Sequence, residues 1–148
     1  MTQNDFDGVK RVIDRYLSAY EERNLDAVEA TIAHDKAVLG IGTDEGEFWK
    51  GWTEIKSAKE KQLAAITETT LNRGHTEISF AQCGKVAWFA EELSGDFWVQ
   101  GNKTTCHLRF TGVLEKRDNK WVIVQFHRSM PVKGFAVPYL ETHGVRFD

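Results

Sequence analysis

The stretch Trp121–Ser129, WVIVQFHRS, alternates residue by residue. Val122, Val124 and Phe126 fall on one side and Trp121, Ile123, Gln125, His127 and Ser129 on the other, the period of two expected of a β-strand. Arg128 continues the first row, and a guanidinium on a covered face needs an anionic partner. Lys103–Lys116 alternates as well: Cys106, Leu108, Phe110, Gly112 and Leu114 form an apolar even set, while Thr105, His107, Arg109, Thr111 and Glu115 make the odd set polar apart from Val113. His75–Cys83, Lys85–Leu93 and Phe97–Val99 are expected as further strands, with turns at Cys83-Gly84-Lys85 and Asp118-Asn119-Lys120. Trp88, Ala90 and Glu92 are expected to join the even face unless a β-bulge switches the parity.

The first half of the chain has a different period. Phe6, Val9, Val12, Ile13, Tyr16, Leu17 and Tyr20 recur at helical spacing, predicting an amphipathic helix that ends near Asn24. Asp26 followed by Glu29 resembles a capping box and opens a short second helix to about Ala33. Ala37–Ile41 reads as a strand, and the stretch GTDEGEFWKG, Gly42–Gly51, as a turn. Thr53 can cap a third helix, thin in its apolar stripe, that runs to about Thr69. Helices followed by consecutive hairpins predict an α+β fold with the helices on one face of an antiparallel sheet, in a single domain over residues 1–148.

Composition narrows the function classes. The net charge is -3, and the Lys and Arg residues are scattered rather than clustered, which argues against nucleic acid as a partner. Apolar runs fall far short of the ~20 residues of a membrane span, and the polar start MTQNDFDG lacks signal-peptide character, so a cytoplasmic protein with no membrane partner is expected. Cys83 and Cys106 sit in separate strands with opposite parity and read as free thiols. There is no HExxH, His-x-His or cysteine cluster to suggest a metal, and no GxSxG nucleophile elbow. No cofactor is expected.

The order helix, helix, strand, GTDEGEFWKG, helix and meander resembles the NTF2-like superfamily, specifically the SnoaL-like domains. The resemblance covers nearly the whole chain, from YLSAYEERNLDAVEATIAHDKAVL at Tyr16–Leu39 to RFTGVLEKRDNKWVIVQFHRSMP at Arg109–Pro131. The C-terminal stretch is also similar to the association domain of calcium/calmodulin-dependent kinase II. The resemblance implies a strongly curved sheet folded into a cone, with three N-terminal helices closing a deep pocket. It fixes no reaction, because members include isomerases, dehydratases, cyclases, hydrolases and pure assembly domains.

Site candidates follow from residues and resemblance together. Tyr16 aligns with the ketosteroid isomerase tyrosine that donates to the dienolate oxygen; the isomerase's second donor falls near Cys106 and its base on Gly40. Tyr16 is then either an oxyanion donor or a core residue with a satisfied hydroxyl. Arg128 matches one of three arginines lining the kinase association-domain pocket, the other two positions being Ala90 and Gly112, and it either pairs with Glu92 or takes an anion. Asp44 and Glu45, with Glu47 in a turn beside Phe48, Trp49 and Trp52, are acid/base candidates or solvated turn charges. Trp49 and Trp52 line a pocket mouth or belong to the core. The expected protein binds a polar or anionic small molecule through Tyr16, Tyr20, Trp49, Trp52, Trp88, Glu92, Phe110 and Arg128, with or without cofactor-independent catalysis. The alternative is a non-catalytic assembly module. A homodimer is expected through the outer sheet face, on the row Trp121, Ile123, Gln125, His127, Thr111 and Val113.

Overall fold

The computed structural model describes residues 1–134. Helix α1, Gln3–Glu21, starts where the Thr2 hydroxyl accepts from the Asp5 amide at 3.1 Å and the Asp5 carboxylate accepts from the Thr2 amide at 3.2 Å. Lys116 donates to the same carboxylate at 2.8 Å and, with Thr2, holds it well below the usual carboxylate range. Val9, Ile13, Tyr16, Leu17 and Tyr20 form the buried stripe that the spacing predicts. Helix α2, Leu25–Thr31, is capped by Asn24, which accepts from the Ala27 amide, and not by the expected box at Asp26. Arg23, at φ 54, turns the chain so that Asn24 precedes the first helical residue.

Strands β1 (Leu39–Ile41) and β2 (Phe48–Lys50) form a short hairpin, so the presumed turn Gly42–Gly51 contains a strand. Helix α3 spans Trp52–Ala65 and passes directly into β3, Ile66–Phe80. The expected helix to Thr69 stops early because the β-branched run Ile66, Thr67, Thr69, Thr70 favours a strand, paired here with the end of β4. Strand β4 is unbroken over Val86–Val99, followed by β5 (Asn102–Arg117) and β6 (Lys120–Ser129). The sheet order is β2-β1-β6-β5-β4-β3. It is mixed rather than purely antiparallel, because β1 runs parallel to β6. The α+β cone is otherwise as expected, with α1 packed across the sheet against β3 and β6.

Two details of register decide which side chains enter the cone. Gln100 and Gly101 both have positive φ, forming the tight two-residue turn that pairs Glu91 with Phe110. Odd residues of β4 therefore share a face with even residues of β5. Ala87, Phe89, Glu91 and Leu93 are buried, whereas Trp88 is 47% exposed and Glu92 also points outward. The expected inward placement of Trp88 and Glu92 is thus corrected. Between β5 and β6, Val113 pairs with Gln125 but Leu114 with Ile123, leaving Val124 as a bulge. Trp121 and Ile123 consequently lie in the core with Phe126, and they leave the expected outer-face row. Among the described residues, no helix is long and apolar enough to cross a membrane.

Candidate ligand-binding site

Tyr16 and Tyr20, one helical turn apart on α1, face Phe110 of β5 and Arg128 of β6. With Leu93, Phe97 and Leu108 they surround a space of about 30 Å³ at the bottom of the cone, room for about one water. Phe97, Leu108 and Arg128 also line a cavity of about 380 Å³ that opens past Asp44, Glu47 and Gln62. The two make one funnel, apolar in its walls. Tyr16 stacks on Phe110 with ring centroids 5.0 Å apart.

Arg128 is placed inward, as its parity with Phe126 predicts, but its expected partner is not there. Glu92 lies on the opposite face, and the inward carboxylate of β4 is Glu91. That carboxylate is taken by Arg73 Nε at 2.9 Å and the Thr76 hydroxyl at 2.9 Å, while Arg73 also reaches Asp14 of α1 at 3.0 Å. Arg128 Nη2 donates to Gln62 Oε1 at 3.2 Å, and Arg128 Nε is buried without an acceptor among the described residues. Its guanidinium carbon lies 5.7 Å from the Tyr20 ring centroid.

Lys59 of α3 is fully buried beside this group. Its Nζ donates to Tyr16 Oη at 2.8 Å, and Tyr16 Oη is 3.2 Å from Tyr20 Oη. The rings of Phe126, Tyr16, Tyr20 and Trp49 surround the amine at 4.3, 5.3, 5.3 and 5.8 Å. Burial first, and then the Arg128 charge, push its pKa well below the ordinary lysine value; Glu47 acts in the opposite sense. Burial likewise raises both tyrosines, strongly for Tyr16, so both hydroxyls keep their protons at neutral pH.

The mouth is built by the stretch between β1 and β2. Glu47 accepts from the Asp44 amide at 2.9 Å and from the Gln62 side chain at 3.2 Å, which ties the mouth to the residue that holds Arg128. Asp44 lines the cavity, whereas Glu45 is exposed and does not. Trp49 lies behind the funnel as part of the lysine cage, and Trp52 stacks on His34 at 3.9 Å, away from the lining. Of the expected residues the structure brings together Tyr16, Tyr20, Phe110, Arg128 and, at the mouth, Asp44. At two positions where the resemblance would place a functional side chain, the fold is crowded. A Cβ at Gly40 would run into the Phe126 ring, and one at Gly112 would come within 2.6 Å of the Gln125 carbonyl.

Lys59, Gln62 and Glu47 complete the site, and the first two are not among the residues expected from the sequence. A signal for Lys59 exists: Ile55, Lys59 and Leu63 are spaced four apart, so the lysine occupies an apolar register of α3. The apolar stripe of α3 is thin because one of its members is charged. Chemically, an arginine whose Nε has no acceptor among the described residues, beside a protonated phenol, suits an oxygen anion, either a bound carboxylate or an enolate formed in place.

Comparisons with known proteins agree with this architecture. The sequence pattern of the SnoaL-like domain matches residues 9–133. The calcium/calmodulin-dependent protein kinase type II alpha chain of Drosophila melanogaster is 30% identical over 133 residues, which is 90% of this chain and 22% of that protein. The chain therefore spans about a fifth of that relative. Among solved structures, an NTF2-like superfamily protein from Salmonella enterica superposes with a TM-score of 0.82 at 17% identity, covering 93% of this chain and 98% of the other. A Streptomyces avermitilis protein of the NTF2-like family, provisionally assigned as a dehydratase, gives 0.78 at 12% identity, with 89% and 99% covered.

Proposed function

The chain belongs to the SnoaL-like domain family of the NTF2-like superfamily, and within it we propose that the funnel binds a small organic carboxylate anchored by Arg128. The observation that carries this reading is the buried Arg128 Nε with no acceptor among the described residues, at the bottom of an open cavity. The planar fork then has a free edge for a carboxylate, Tyr20 supplies a second polar contact, and Phe97, Leu108 and Phe110 take the hydrocarbon part. A cavity of about 380 Å³ suits a small molecule. Cofactor-independent catalysis of the isomerase, dehydratase, cyclase or hydrolase type would use the same donors on a developing oxyanion, with Asp44 or Glu47 at the mouth as base. Thermal denaturation with a panel of small carboxylates tests the reading. A ligand at 100 times its Kd adds ~2.7 kcal/mol of stability, and Arg128→Met abolishes that gain while leaving the empty protein as stable or more so. Equal stabilisation of both proteins rules Arg128 out as the anchor.

A second reading concerns the opposite face. Trp88, 47% exposed, pairs with Val113, while Leu39 and Ile41 of β1 lie beside Gln125 and His127 on the same side. This mixed row replaces the one expected to include Trp121 and Ile123, and it suits a homodimer through the outer sheet face or an assembly role. Anion binding and assembly use different faces and are compatible. Sedimentation equilibrium should give a dimer at micromolar concentration and a monomer for Trp88→Glu; a monomeric parent protein excludes the interface.

A further inference from the structure

Lys59 and Arg128 are both held inside the cone, and among the described residues neither has a carboxylate at ion-pair distance. The charged or titratable groups facing the Lys59 amine are Tyr16 and Tyr20 of α1, Glu47 before β2 and Arg128 of β6. Two neighbouring cations, with Glu47 and Asp44 acting on them only from beyond ion-pair distance, are unfavourable, and an arginine cannot shed its proton at neutral pH. Lys59 can. Its four-ring cage tolerates either an ammonium or a neutral amine, the first through cation–π attraction and the second through simple burial.

The hydrogen-bond chain Lys59 Nζ–Tyr16 Oη–Tyr20 Oη has two polarities. An ammonium donates to Tyr16, Tyr16 donates to Tyr20, and the Tyr20 proton is left for the funnel. A neutral amine can accept from Tyr16 through its lone pair; Tyr20 then donates to Tyr16 and turns a lone pair toward Arg128. The second polarity suits an empty funnel and the first an anion. We propose that Lys59, Tyr16 and Tyr20 form a proton relay coupled to the anion site, in which a carboxylate bound at Arg128 draws one proton onto Lys59 and reverses the chain so that Tyr20 donates to it. The proton comes from solvent through the funnel mouth and returns there when the anion leaves. No bond other than O–H and N–H is made or broken. The inference rests on the carboxylate reading above and adds its regulation: affinity falls as pH rises, tenfold per unit between the pKa of Lys59 in the empty protein and its value in the complex.

Calorimetry with benzoate as probe, in phosphate and in Tris at pH 8, measures the proton directly. The expected enthalpies differ between buffers by the equivalent of nearly one proton taken up per benzoate, and Lys59→Met, which keeps the apolar stem, removes the difference. NMR of protein carrying ¹³Cε-labelled lysine gives a second reading on the unaltered chain: one neutral amine at pH 8 that becomes an ammonium on adding benzoate. Benzoate that binds in an Arg128-dependent way with buffer-independent enthalpy overturns the relay and leaves the anion site standing. A Lys59 signal already charged at pH 8 in the empty protein overturns the relay by itself. Absence of binding heat up to millimolar benzoate overturns the anion site and the relay with it.

Discussion

The two halves of β6 face the same interior but do different work. Before the Val124 bulge, Trp121 and Ile123 join a dry core with Val9, Ile13 and Val28, and Trp121 meets Phe80 edge-on with ring centroids 5.7 Å apart. Beyond the bulge, Phe126 and Arg128 sit with Tyr16, Tyr20, Lys59 and Gln62, where an arginine donor has no acceptor among the described residues and a lysine is enclosed by rings. One helix, α1, covers both regions. The dry core and the proposed anion site thus occupy opposite ends of a single strand, and the bulge allows both ends to point inward.

Three substitutions probe that division. Ile123→Ala, in the dry half, should cost about 2–5 kcal/mol in chemical denaturation while leaving carboxylate affinity unchanged; a loss of affinity at equal folded fraction would mean the halves are coupled. Gly40→Ala places a methyl against the Phe126 ring and should cost about 1–3 kcal/mol, with Phe126 displaced toward the lysine cage. No measurable loss would show that β1 can move aside. The smallest effect has the opposite sign: Lys59→Met should stabilise the empty protein by about 1 kcal/mol at neutral pH. The folded pKa of Lys59 lies below its unfolded value, so between the two the unfolded chain holds the extra proton and the stability of the parent rises with pH. The advantage of Lys59→Met should therefore shrink between pH 7 and pH 9, and an advantage that stayed constant would argue against a depressed lysine.

The difference between the halves also marks what could be read from sequence. The α1 stripe and the even face of β5 were legible because each is a long, uninterrupted period. The facing of β4 was not, since it depends on how many residues the Gln100–Gly101 turn contains and on whether Ser94–Asp96 stays in the strand. Arg128 follows Phe126, its nearest neighbour on the row, whereas the expected facing of Val122 and Val124 is changed by a bulge that no local pattern announces. Glu92 is expected inward because the pattern does not reveal the facing of β4, and Glu91 holds that place. Lys59 is hard to read from sequence because a lysine in an apolar register looks like a gap in the stripe, whereas the surrounding aromatics that admit it come from three other elements.

The parallel pairing of β1 with β6 bears on how the protein is made. Strands β3 to β6 are joined in chain order by short connections and can pair as soon as neighbours appear, whereas β1 precedes all of them in the chain and its parallel partner β6 is the last. On the ribosome, Leu39–Ile41 has no parallel partner until the last strand has emerged. The β1–β2 hairpin, which carries Asp44 and Glu47, is thus the late-docking part of the sheet, because closing so long a loop is entropically costly. The mouth of the funnel takes shape only after its floor, and the apolar stripe of α1 must stay out of aggregates while it waits.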